Sequence, residues 1–197
     1  MLKITNNIEY LPSSNEPLSA DVYVIRGAKN NYIIDTGSND EAFKIIEGIK
    51  NKIIIITHFH ADHIGNLSRI DIPDANLYVG KYTKDYCKCG TKILDSITIE
   101  DGANIRISAI PSSHAKGSLA ITVDNKWLFL GDSYYCSVKG YNVSLLHDEI
   151  EFLKNEPFEY AILSHDKNRY SKKEILDNLK AIYSSRSKNE PYIKLEQ

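Results

Sequence analysis

The sequence predicts a layered α/β protein with its helices on the outside, and three observations carry that reading. Short β-type runs come in two blocks. Capping signals followed by helical stripes of apolar residues are interspersed with those runs. No repeat, low-complexity tract or Gly/Ser/Pro linker divides the chain, so residues 1–197 are expected to form a single domain. That length suits one domain with a sizeable core.

The first block of strands is read at residues 22–26, 31–34, 53–57 and 77–79, where branched and aromatic apolar residues cluster. The second block is read at 97–99, 105–110, 119–123, 127–130 and 160–163. Between its third and fourth runs, Asp124-Asn125-Lys126 is a polar turn of the kind that closes a hairpin. Three helices are predicted. Ser38 with Glu41 reads as a capping box ahead of Ala42, Phe43, Ile46 and Ile49. Ser144 precedes Leu146, Ile150 and Leu153, and Ser171 with Glu174 precedes Ile175, Leu176, Leu179, Ile182 and Tyr183. The polar tail from about residue 184 is expected to be loosely held, with Tyr192-Ile193 as a short edge strand.

Composition narrows the function class without naming it. Hydrophobic residues at 42% and charged residues at 25% are globular values. Lys+Arg 24 against Asp+Glu 26 leaves a net charge of −2, which gives no reason to expect nucleic acid or an anionic membrane as partner. No apolar run approaches bilayer length, and the first residues lack a signal-peptide core, so a cytoplasmic protein is expected. Cys87-Lys88-Cys89 is too tight for a usual zinc or redox pair.

One stretch carries chemistry: His58-Phe59-His60-Ala61-Asp62-His63, directly after an isoleucine run. Buried imidazoles and a carboxylate cost stability unless something pairs them. A divalent cation does so, because neutral imidazole and carboxylate are its natural ligands. Asp35, His114, Asp132 and His165 each follow an apolar run within a few residues. If those strands end on one rim, the groups converge there. His147 falls on the polar face of its helix and reads as a surface residue.

In order, the His58–His63 motif, His114, Asp132 and His165 resemble the motif set of the metallo-β-lactamase superfamily, and Asp35 in Ile34-Asp35-Thr36-Gly37 matches its first motif. The resemblance implies an αββα sandwich, the metallo-β-lactamase fold, with metals at one rim. It assigns His58, His60 and His114 to a first metal and Asp62, His63 and His165 to a second, with Asp132 bridging. It further implies that Asp35 fixes a ligand histidine from behind and that Asp62 orients the attacking water. Asp132 and His60 resemble the glyoxalase II-like and lactonase branch rather than true β-lactamases or oxygen-reducing di-iron relatives. Residues 166–197 leave no room for the helical domain of glyoxalase II, so glutathione thioesters are not the expected substrates.

The resulting expectation is a hydrolase with two divalent ions, zinc ahead of iron or manganese. It would use a metal-bound hydroxide on small acyl substrates, thioesters or lactones. The alternative is a mononuclear-iron oxidoreductase resembling persulfide dioxygenases, with iron on His58, His114 and Asp132. Ser112, Ser113 and Ser118 carry no G-x-S-x-G elbow and are set aside as nucleophiles. Tyr134 and Tyr135 fit either a substrate wall or the core, and Lys116 reads as a solvated loop residue. Cys87 and Cys89 lie in a stretch read as part of a lid.

Overall fold

The computed structural model describes residues 1–194. The chain begins with strands β1 (Leu2–Lys3) and β2 (Ile8–Leu11) and a small hairpin of β3 (Ser14–Asn15) and β4 (Leu18–Ser19). It continues through β5 (Val22–Arg26), β6 (Asn31–Ile34), helix α1 (Asp40–Gly48), β7 (Lys52–Ile56) and the short helix α2 (Ala61–Ile64). Then come β8 (Leu77–Gly80), α3 (Lys81–Cys87) and β9 (Thr91–Ile93). These strands form a seven-stranded sheet in the order β1-β2-β5-β6-β7-β8-β9, outside which the β3–β4 hairpin stands.

The second sheet has β10 (Ser96–Glu100), β11 (Asn104–Ile110), β12 (Ser118–Val123), β13 (Trp127–Phe129), β15 (Tyr160–Ile162) and β16 (Arg169–Ser171), in that order. β14 (Tyr141–Asn142) leads into α4 (Val143–Asn155) and pairs with β17 (Tyr192–Ile193), the edge strand read in the tail. α5 (Lys172–Ser184) runs to the start of that tail. No helix among the described residues is long and apolar enough to cross a membrane.

The period-2 alternation of the strands builds three apolar layers. Ile55 points with Ile34, Tyr32, Ile121 and Phe129 into the layer between the sheets. Ile54 and Ile56 point the other way, against Ala42 and Ile46 of α1. Leu128, Ala161 and Leu163 pack outward against Leu146, Leu153, Ile175 and Leu179 of α4 and α5. The result is the expected αββα sandwich, its core filled mostly by Ile and Leu because both sheets are buried on both faces.

Two helix starts differ from expectation. α1 is capped by Asn39, whose side chain accepts the Ala42 N–H, because Ser38 is drawn into bonds with Ser19 and Leu18 of the hairpin. α4 is capped by Asn142, and Ser144 lies inside its first turn. The Ser171–Glu174 capping box is present. The polar turn at Asp124 and Asn125 closes the β12–β13 hairpin with φ of +53° and +52°, the conformation tight hairpins require.

Candidate metal centre

β6 and β7 are parallel, and β11, β13 and β15 also share one direction, since β12 is antiparallel to both its neighbours and β13 is parallel to β15. Their C-terminal ends deliver Asp35, His58, His114, Asp132 and His165 to one rim. The rest of the cluster rides on the turn after β7: His60 immediately precedes α2, and Asp62 and His63 lie within it.

Two groups of ligand-competent atoms result. His58, His60 and His114 form one, and Asp62, His63, Asp132 and His165 the other; within each, one donor atom per residue lies within 4.8 Å of the others. Asp132 Oδ2 stands between them, 3.9 Å from His58 Nε2, 3.3 Å from His114 Nε2 and 3.4 Å from His63 Nε2. His60 Nδ1 is 3.0 Å from His114 Nε2, and His165 Nε2 is 2.9 Å from Asp62 Oδ2. All seven residues that the sequence assigned to metal therefore meet at one place. His58, His63 and Asp132 form its buried floor, while His165 is exposed.

Beneath the floor lies Asp35, itself held at φ +59°. Its carboxylate accepts the Thr57 N–H at 2.8 Å, the Thr57 hydroxyl at 2.7 Å and the His63 Nδ1–H at 2.7 Å. The Thr57 hydroxyl, having given its proton to Asp35, accepts from His58 Nδ1 at 3.1 Å. One carboxylate thus fixes the Nδ1–H of both rings, His63 directly and His58 through Thr57, and leaves Nε2 of each as the nitrogen that faces the cluster. Thr57 is a residue the sequence reading did not single out. Its signal was only its place immediately before His58.

The charges are unbalanced in a way that a cation corrects. Burial, reinforced by the neighbouring His63, holds the His58 imidazole far below its ordinary pKa, and burial with His114 lowers His60. Burial would also lower His63, but the Asp35 and Asp132 carboxylates outweigh it and push it up to about 10. Burial works to raise Asp132, yet the bonds from His114 and His63 win and hold it well below the usual range. The bond to Asp62 raises His165 against burial. A cation would take the place of the proton held on His63, while burial already disfavours a charge on His58 and His60.

The fit can be tested on orphaned atoms. Among the described residues, His58 Nε2, His63 Nε2, His114 Nδ1 and Asp132 Oδ1 are buried with no hydrogen-bond partner. Leaving such groups unpaired costs about 1–3 kcal/mol each. The donor set is nitrogen and carboxylate oxygen, suited to borderline and hard divalent ions.

Other residues find plainer places. The Ser112 hydroxyl braces the His114 N–H, and Ser113 the Asn142 N–H. Tyr135 donates to the Ser164 carbonyl, and Tyr134 packs with Tyr170 against the outer face of the second sheet. Lys116 Nζ lies 5.7 Å from the centre of the Tyr82 ring. His147 is exposed and bonded to Asp148. The stretch read as part of a lid begins with helix α3. The thiols of Cys87, the last residue of α3, and of Cys89 beyond it are half-buried and line a cavity of about 370 Å³ with Ala61, Ile64 and Leu67. Ala61 and Ile64, three apart on α2, face that cavity together.

Comparison with known proteins agrees with this architecture. The family model of the metallo-beta-lactamase superfamily matches residues 15–71, which include Asp35 and the His58–His63 motif. The structure is similar to a metallo-beta-lactamase from Pontibacter korlensis, with TM-score 0.71 and 15% identity over 93% of this chain and 98% of that one. The chain has the metallo-β-lactamase fold. An archaeal metallo-beta-lactamase superfamily protein from Sulfolobus tokodaii aligns with TM-score 0.66 and 21% identity, over 92% of this chain and 88% of the other. A flavo di-iron protein variant from Thermotoga maritima aligns with TM-score 0.69 and 16% identity, over 86% of this chain and 54% of the other. No curated protein sequence matches the chain significantly. Identities this low speak to the fold alone, so the chemistry has to be argued from the site.

Proposed function

We propose that this metallo-β-lactamase-fold chain is a hydrolase that holds two divalent cations, zinc first among them, and cleaves small thioesters or lactones. The observation that carries the reading is the position of Asp132 Oδ2, within 3.9 Å of ring nitrogens from both donor groups. One carboxylate with an imidazole set on either side suits two cations held close together. His58, His60 and His114 would hold one ion and Asp62, His63 and His165 the other, with Asp132 shared. When bound, such a pair of ions supplies Lewis acidity, bringing the pKa of water from about 15.7 to about 7 and polarising an acyl oxygen.

The chain's own groups do the rest. Asp35 and Thr57 keep His58 and His63 in the tautomer that presents Nε2. Asp62, partly exposed beside His165, orients the attacking water and takes its proton at the carboxylate. The hydroxyls beside the cluster are engaged with other partners, Thr57 with Asp35, Ser112 with the Ser133 carbonyl and Ser164 with Asp21, so water is the nucleophile.

The four-residue group that includes His165 favours this reading over a single iron on His58, His114 and Asp132. The test is reconstitution of chelator-stripped protein with zinc, followed by thioester and lactone panels. Hydrolysis that appears with zinc and is lost in Asp132→Ala is expected. Oxygen uptake with a persulfide substrate and iron, without hydrolysis, would replace the proposal with the iron alternative.

A further inference from the structure

Asp21 lies just ahead of β5, outside the clustered side chains, and is only 3% exposed. Its Oδ2 accepts the His165 N–H at 2.7 Å and the Ser164 hydroxyl at 3.3 Å. Its Oδ1 accepts the Ser13 N–H at 3.0 Å, and its own N–H donates to Ser164 Oγ at 3.2 Å. The residue before it, Ala20, donates its N–H to the Asp62 carbonyl at 3.0 Å. Two consecutive residues of the link between β4 and β5 therefore grip the backbones of Asp62, on α2, and His165, in the loop after β15 of the second sheet. The side chains of those two meet at 2.9 Å, which closes a circuit across the sandwich.

That grip has work to do. His165 sits at φ +61°, a left-handed conformation that residues with side chains rarely adopt unless their surroundings impose it. On the carbonyl side of its loop, the Tyr23 and Tyr135 hydroxyls hold the Leu163 and Ser164 carbonyls at 3.3 and 3.1 Å. On the N–H side, the Asp21 carboxylate supplies the charge-assisted bond. By contrast, His58 and His63 are set from Asp35 and Thr57, and His114 by Ser112.

We propose that Asp21 is a positioning residue for the second cation. It fixes the backbone of His165, and with Ala20 that of Asp62, so that this half of the cluster has ligand geometry while the His58–His60–His114 half does not depend on it. The inference rests on the two-cation reading above.

The experiment is a calorimetric titration of chelator-stripped protein with Zn²⁺ alone, checked by elemental analysis of the dialysed product. Wild type, Asp21→Asn, Asp21→Ala, His165→Ala and the Asp21→Ala/His165→Ala double variant are compared. Wild type is expected to take two ions. In Asp21→Ala the first step stays as it was and the second weakens by about 10–100-fold, the usual effect of removing a group that orients a ligand. Asp21→Asn, nearly isosteric and with one acceptor oxygen left, falls between and keeps the test readable if the alanine variant does not fold. The double variant should bind the second ion no more weakly than His165→Ala, because Asp21 acts through that residue. Unchanged second-step affinity in both Asp21 variants overturns the inference, as does equal loss of both steps. A wild-type chain taking fewer than two ions overturns the two-cation reading, and this inference with it.

Discussion

Asp35→Asn changes one oxygen to an amide nitrogen and almost nothing in volume, so its consequences can be worked from three bonds. The Thr57 N–H has no other partner in reach of Asp35, so the asparagine oxygen stays with it. The new amide nitrogen then occupies the place of Oδ2, facing the Thr57 hydroxyl and His63 Nδ1, both at 2.7 Å. The hydroxyl can turn and accept. His63 can accept there only by giving up its Nδ1 proton and keeping one on Nε2, which faces Asp132 and Asp62 at 3.4 and 3.5 Å and then has no lone pair for a metal. Bonds to a charged acceptor are worth about 1.5–3 kcal/mol against about 0.5–1.5 for neutral ones, so the two bonds on Oδ2 put the stability loss at about 2–3 kcal/mol. The fold should survive this, while affinity for the ion on His63 falls about 10–100-fold. Denaturant unfolding of metal-free protein measures the first quantity and zinc titration the second, and nitrogen-15 spectra of the imidazoles report the tautomer. A variant whose His63 keeps its proton on Nδ1, with zinc affinity unchanged, would refute the assignment of Asp35 as the group that sets that ring.

Further outcomes follow from other contacts. Asp132→Ala should lose bound metal and hydrolysis together; full metal content in that variant would contradict a shared carboxylate. Glu149 on α4 is buried with neither oxygen partnered among the described residues, and burial holds its carboxyl well above the ordinary 4.5. The folded protein therefore keeps a proton that the unfolded chain releases near 4.5, so stability falls as pH rises above that value. Glu149→Met should flatten this slope and add about 1–3 kcal/mol at pH 8, measured by denaturant unfolding at pH 5 and pH 8. Parallel slopes for the two proteins would count against it. Gly131, at φ +53°, has no room for a side chain, since a Cβ there would lie 2.6 Å from Thr57 Oγ1. Gly131→Ala should cost about 2–5 kcal/mol through backbone strain and overpacking. It should also weaken zinc binding by displacing Thr57; a thermal midpoint within a degree of wild type would show that reasoning to be wrong.

What the sequence made legible follows the range over which the information is local. The His58–His63 cluster announced itself because its members are neighbours in the chain, and the strands around it because Ile and Val runs are unambiguous. His114, Asp132 and His165 were legible only as a recurring pattern of apolar run followed by a polar residue. The pattern works because β11, β13 and β15 run in the same direction. Asp21 carried no such mark: its partners, Ser164 and His165, lie more than 140 positions away, and an Asp before a strand reads as an ordinary loop residue. The cap of α1 went to Asn39 rather than Ser38 for a related reason. Both are good caps, and the hairpin residues that claim Ser38 are visible only in three dimensions. Strands as short as Leu2–Lys3 and Arg169–Ser171 exist because a neighbour's edge is available, not because their own residues demand it.

We propose that seven converging side chains hold two ions with Asp132 between them. The most direct test is elemental analysis of protein purified without added metal or chelator. About two divalent ions per chain, mostly zinc, are expected, as a two-metal hydrolytic site requires. One iron per chain with little zinc, unchanged by His165→Ala, would contradict it.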